Sequence, residues 1–298
     1  MPSIAASSNA ADAGTNSVLQ HAYRMELNVL GCDYIVVCED PVAKRAIEQC
    51  YSSFIVPRDD YSTASKPFLI TESSGGWDFH FSECIMHCPT LSDLIYDFEK
   101  ALTIDIQRLR TEWLFVHGAA LAIDGHCVVV AGDSGAGKSS LCWSLCNAGF
   151  EYLSDELAPI DPVDNSVAPY PHAICLKGIS HLAEALPQGI LRGGATIHVP
   201  TGDIPAPTST APVPLAALLF VESAMAATVD EMLRPVSAGE AAAMLYSHSL
   251  NQMAHERAGL GAVSKIVSRI PCYKLKRGRP AELVDAVRAV LSGEPLAA

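Results

Sequence analysis

Apolar residues recur along this chain with two periods, and the switches between them mark out its elements. Arg24 to Leu30 and Tyr34 to Cys38 alternate like strands joined at Gly31, while Pro67 to Ile70 and Trp77 to Phe81 flank a Gly75-Gly76 turn. Cys84 to Cys88 alternates like a partly buried strand, and a helix is predicted after Asp40 with Pro41 in its first position. A capping start at Thr90 precedes Leu94, Ile95, Phe98, Leu102 and Ile106 at helical spacing, a helix that would link two lobes. Leu114 to Ile123 then reads as an apolar strand interrupted by His117, with Asp124-Gly125 turning it into a second strand, Cys127 to Ala131. Ser139 to Ala148 carries Leu141 and Leu145 on one helical face until Gly149 stops it. Later strands are expected at Ala173 to Leu176 and Leu215 to Val221, and later helices from Ser237 through Leu245 and from Pro280 onward. Between them, five prolines at 200, 205, 207, 212 and 214 predict an exposed loop without regular structure, serving as a lid, a docking loop or a surface excursion.

Strands alternating with helices define an α/β protein. The expected organisation is a disordered tail over residues 1–20, an N-terminal α/β lobe with its linking helix over 21–110, and a larger C-terminal domain over 111–298. With 298 residues and 49% hydrophobic content, the chain can build real cores in two domains.

The chemistry centres on Gly132-Asp133-Ser134-Gly135-Ala136-Gly137-Lys138-Ser139, which fits the phosphate-loop pattern at every position and sits between a strand and a helix. Glycines let the loop curl its N–H groups toward phosphates, Lys138 adds a positive charge near the β and γ oxygens, and the Ser139 hydroxyl can ligate Mg²⁺; Ser140 continues the cradle. Asp155 follows Lys138 by 17 residues, beside Glu156 at the end of a short strand. That spacing differs from most phosphate-loop NTPases, whose metal-associated acid comes from a strand distant in sequence. Adjacent carboxylates at a strand end project in different directions, so one can face metal and phosphates and the other an incoming hydroxyl. His117 would approach the γ-phosphate if antiparallel pairing brings its strand beside the loop; otherwise it is a hydrogen-bonded core histidine.

Phe115-Val116-His117-Gly118, the phosphate loop and Leu153-Ser154-Asp155-Glu156 together resemble, in order and spacing, the C-terminal catalytic domain of HPr kinase/phosphorylase. The resemblance implies a P-loop-containing fold of the HPr kinase and phosphoenolpyruvate carboxykinase type, and transfer of phosphate from Mg-ATP to a serine of a small protein. It implies that Lys138 and Ser139 hold phosphates and Mg²⁺, that Asp155 is the general base, and that His117 lies near the transferred group. The metal would be held by Ser139 with Glu156 and Asp155. Departures are the acidic pair, Asp-Glu where the family usually has Asp-Asp, and Ile174 to Gly178, which lies where the family has an arginine- and glycine-containing segment tied to the reverse reaction. In a weak echo of a later family segment, Leu233 to Glu240, Glu240 replaces the family's arginine. No phosphorylase activity is expected on these grounds. The pattern is similar to kinases found beside genes for ribosomally made peptides, including those that modify a serine of lasso-peptide precursors. A small-molecule kinase and a nucleotide-gated binding module are the alternatives.

Net charge and cysteines bound the partners. A formal charge of −13 argues against nucleic acid or an anionic membrane, so an anionic nucleotide must be held by the local loop and Mg²⁺. Ten cysteines in mostly apolar contexts, without an export signal, suggest reduced thiols in a cytoplasm. His80, Cys84, His87 and Cys88 lie close in sequence, but their spacing suits strand packing better than zinc. Lys274, Lys276, Arg277 and Arg279 form one dense basic patch, read as a solvated strand end or a contact for an acidic partner or nucleotide. Whether the chain forms a homo-oligomer is left open.

Overall fold

The computed structural model describes residues 22–57, 67–177, 186–193, 196–228 and 231–293. The tail expected over residues 1–20 therefore lies outside the described residues. The chain divides into two compact units, Met1–Gln49 with Phe54–Leu102, and Cys50–Ser53 with Thr103–Ala298. The division falls inside the linking helix rather than at residue 110.

In the first unit, β1 (Tyr23–Val29) and β2 (Cys32–Cys38) form a hairpin, α1 (Pro41–Cys50) follows, and β3 (Pro67–Ser73), β4 (Gly76–Phe81) and β5 (Cys84–Cys88) complete a five-stranded sheet in sequence order. α2 (Leu91–Leu109) follows. The hairpin turns through Leu30 and Gly31, and the start of α1 is set by Asp40, whose carboxylate accepts from the Val42 N–H at 2.9 Å and from the Trp77 indole at 2.6 Å. Phe68, Phe79 and Phe98 are fully buried with ring centroids 5.1 to 5.8 Å apart, which ties sheet to helix. His87 pairs with Asp78 at 2.8 Å and Cys88 is buried; among the described residues no group of three or more His, Cys, Asp or Glu is arranged to hold a metal ion.

The second unit contains β6 (Leu114–Ile123), β7 (His126–Ala131), α3 (Lys138–Asn147), β8 (Glu151–Ser154), β9 (Leu157–Ile160), β10 (Ser166–Val167), β11 (Ile174–Lys177), β12 (Leu191–Gly193), β13 (Thr196–Val199), β14 (Val213–Met225), β15 (Leu233–Pro235), α4 (Ala238–Ser247), α5 (Leu260–Val267), β16 (Cys272–Arg277) and α6 (Pro280–Ser292). Its main sheet has the order β10-β9-β6-β7-β14-β16-β15, with β8 also pairing β6. β14 runs parallel to both β7 and β16; residues 127–131 of β7 and 215–221 of β14 are unbroken apolar runs because helices cover both faces, whereas β16 alternates. Strand alternation sorts the side chains. Ala119, Leu121, Val128, Val130, Leu219 and Leu275 join the core with Leu141 and Leu145 of α3 and Val287 of α6. Ala120, Ala122, Val129, Leu218 and Phe220 face Leu245 of α4 and Ile266 of α5. A three-stranded sheet, β11-β13-β12, adds Ile174, Leu176, Ile197 and Val199 to the α3 side. Among the described residues no helix is long and apolar enough to cross a membrane.

The proline-rich passage differs from its expected form. Thr201–Asp203 makes a 3₁₀ turn, Thr201, Ile204 and Ser209 are buried, and the passage borders β8 through Tyr152 N–H to Pro207 O at 2.8 Å and Ser209 N–H to Tyr152 O at 3.0 Å. Prolines bar a continuous ladder, but single backbone bonds between them are enough to anchor the segment.

One close approach sets the sheet near the loop. A Cβ at Gly118 would lie 2.7 Å from the Val130 carbonyl oxygen, inside the β6–β7 ladder. Gly118→Ala should lower unfolding free energy by about 1–3 kcal/mol through overpacking, read as a shifted urea midpoint at unchanged slope. An unshifted midpoint would show that the ladder has slack.

Candidate active site

β7 delivers the chain to the phosphate loop and α3 carries it away. Gly135 at φ 79° and Gly137 at φ 110° hold left-handed backbone that a side chain would strain, and this curls the loop. Gly137 is the N-cap of α3 and no side chain caps the helix, which leaves first-turn N–H groups without a side-chain partner, as at helix N-termini that take anions. Lys138 is 8% exposed, and its ammonium donates to the carbonyls of Gly132 at 2.8 Å and Asp133 at 3.3 Å. Burial draws its pKa down, against the opposing pull of Glu156 and Asp133.

The loop forms one wall of a pocket of about 440 Å³, to which Ser134, Gly135, Gly137, Lys138, Ser139 and Ser140 contribute. Gly132, Asp133 and Ala136 complete the loop without lining this pocket. Its other walls come from His117, Glu156, Cys175, Lys177 and Arg277. The register of β6 explains the first two. Gly118 pairs with Ala131, the last residue before the loop, and on its other side its N–H donates to the Glu156 carbonyl at 3.0 Å. His117, two residues from Ala119, shares the strand face that packs against α3. Its Nδ1 lies 3.1 Å from Glu156 Oε1. Burial works to raise the Glu156 carboxyl, but the hydrogen bond and charge of His117, aided by His172 and Lys138, outweigh it and hold the group below its ordinary range.

Asp155 is placed otherwise than the sequence leads one to expect. Only 1% exposed, it stands beside the pocket and not in its wall. Oδ1 accepts from the Tyr152 hydroxyl at 3.2 Å and lies 3.5 Å from His172 Nε2; Oδ2 accepts from the Cys175 N–H at 3.0 Å. Burial raises its pKa, with His172 as the main counterweight. The enclosure is built from afar: β11 supplies the N–H, and His172 lies among Tyr51 and Tyr170 with ring centroids 6.2 and 5.1 Å away. The carboxylate in the pocket wall is therefore Glu156.

Lys177 is a site residue that the motif reading passed over, and Arg277 was read only as one of four charges in a basic patch. The basic patch separates by strand alternation: Lys274 pairs with Glu222 and Glu240, and Lys276 pairs with Glu231, whereas Arg277 follows the buried Leu275 onto the α3 face. Its guanidinium lies close enough that a Cβ on Gly137 would sit 3.8 Å from Nε. The period-two pattern Lys274-Leu275-Lys276-Arg277 carries that signal, and a count of charges hides it. Cys175 is half-buried and also lines the pocket.

These donors suit a magnesium polyphosphate. Three cations, a glycine-curled loop and an uncapped helix start can meet phosphate oxygens, while the Ser139 hydroxyl and Glu156 carboxylate are oxygen ligands of the kind Mg²⁺ takes. Of the three expected metal ligands, Asp155 does not reach the pocket wall.

No family model matches the chain, and no curated protein does. Among solved structures, the HPr(Ser) kinase/phosphatase from Coxiella burnetii aligns with 58% of this chain and 93% of its own, at 18% identity and a TM-score of 0.30. A TM-score that low is too slight to establish a shared fold.

Tyr152 is the hinge of the buried network, since its hydroxyl reaches both Asp155 and, at 2.9 Å, the His172 carbonyl. Tyr152→Phe should cost about 1–3 kcal/mol of stability, because two buried acceptors lose one donor. Thermal and urea unfolding would check this, and a wild-type stability in the variant would mean that water replaces the hydroxyl.

Proposed function

We propose that this chain is a phosphotransferase that moves the γ-phosphoryl group of Mg-ATP to a hydroxyl, with a serine of a protein or ribosomally made peptide as acceptor. The observation that carries the reading is the meeting, in one pocket, of the phosphate loop with Lys138, Lys177 and Arg277 and of a histidine hydrogen-bonded to a carboxylate. The resemblance of the same segments to HPr kinase supports it. Ser139 and Glu156 would hold Mg²⁺, which when bound draws charge from the transferring phosphate. Lys138 exchanges its loop carbonyls for phosphate oxygens, and Lys177 and Arg277 add positive charge where the chain as a whole is acidic. His117 is oriented by Glu156 at Nδ1, so its other ring nitrogen is the acceptor for the hydroxyl proton. Asp155 holds β8 against β11 and places Glu156, the next residue, at the wall.

The enclosure of Asp155 also favours a second reading, a nucleotide-gated binding module. With that acid engaged in hydrogen bonds, the pocket has one carboxylate where phosphoryl transfer commonly uses two.

Labelled ATP offered with Mg²⁺ and a library of serine peptides should yield phosphoserine. His117→Ala should lower turnover by about 100-fold or more while nucleotide affinity stays within a few-fold, and Lys138→Ala should weaken nucleotide binding itself. If Asp155→Asn stays folded, binds nucleotide and loses all transfer, the base role returns to Asp155. Tight nucleotide binding without label on any acceptor would leave the binding-module reading.

A further inference from the structure

A second cavity, of about 220 Å³, adjoins the phosphate pocket and shares three of its residues, Gly137, Ser140 and Arg277. It contains neither His117 nor Glu156, and so opens from the side of the loop away from the transfer groups. Its walls are mostly aliphatic: Leu141 from α3, Val221 and Met225 from the end of β14, Leu275 from β16, and Pro280 and Leu283 from the start of α6. A nucleotide has this same polarity, with its reacting phosphate at one end and a flat, largely apolar ring system at the other. We infer that the nucleobase seats in this cavity, with the phosphate chain crossing beside Arg277 to reach Lys138 and the His117–Glu156 pair. The inference rests on the nucleotide reading above and gives it a direction. Arg277 suits the crossing point, because a planar guanidinium can meet phosphate oxygens along its edge and an aromatic ring on its face.

The lining also sets the selectivity. Ser144 already donates its hydroxyl to the Ser140 carbonyl at 3.0 Å, so few side-chain groups remain to read the hydrogen-bonding edge of a base. An apolar wall discriminates poorly between rings of similar shape. The site should therefore accept adenine and guanine nucleotides alike, with affinities within roughly tenfold of each other.

Isothermal titration of the full chain with Mg-ATP, Mg-GTP and magnesium tripolyphosphate tests this. ATP and GTP should each bind at least about tenfold more tightly than tripolyphosphate, which has the charge but no base. Leu283→Trp fills the cavity and should bring ATP down to the affinity of tripolyphosphate, while tripolyphosphate binding, unchanged, reports an intact fold and cradle. Met225→Trp, at a position 66% exposed and tolerant of size, should act in the same direction if the first variant does not fold. Equal binding of ATP and tripolyphosphate by the unaltered chain, or an undiminished ATP advantage in both tryptophan variants, overturns the base site. A preference between ATP and GTP above a hundredfold overturns its permissiveness. If the unaltered chain binds none of the three, the phosphate cradle itself is wrong and the base site falls with it.

Discussion

The main-chain ladder on β6 is the constraint on which the site depends. One short stretch, His117 to Ala119, is bounded on one side by the strand that ends in the phosphate loop and on the other by the turn that bears the acids. A side chain at Gly118 would press against the strand that leads into the loop, and a shift of register by a single residue would turn His117 to the α4 and α5 side of the sheet. Phosphate loop, imidazole and carboxylate are thus brought together by backbone hydrogen bonds and a missing Cβ. No direct contact between their side chains and the loop is needed to position them.

Electrostatics then divides the two acids. They are adjacent in sequence, yet burial works against the ionised form of Asp155, whereas Glu156, hydrogen-bonded to His117, is favoured as a carboxylate. Around them an acidic chain gathers Lys138, Lys177 and Arg277 in one place. The outer lysines of β16 are paired with glutamates, whereas Lys138, Lys177 and Arg277 line the pocket.

Much of this was legible because it is local. The loop pattern, its flanking strand and helix, the Asp124-Gly125 turn and the starts of α1, α4 and α6 are written in runs of a few residues whose conformational demands do not wait on distant partners. The environment of Asp155 is not of that kind. Tyr152 lies nearby in sequence, but the N–H of Cys175 and the imidazole of His172 arrive from a strand and a loop some twenty residues on, and no motif announces them. Arg277 was visible only as one charge among four until strand alternation separated it from its neighbours. The proline-rich passage misled for a related reason: composition forbids a ladder there, but it does not forbid anchoring at a few backbone groups.

Those anchors converge on one residue. The backbone of Tyr152 is bonded in both directions to the passage from Pro207 to Ser209, and its phenol holds the enclosed aspartate. A change of sequence in that outer segment would therefore tug on the acidic turn without any atom of the pocket being altered. Variation among chains of this type at 207–209 could retune the chemistry from outside, as a tensioned cord changes a note without touching the soundboard.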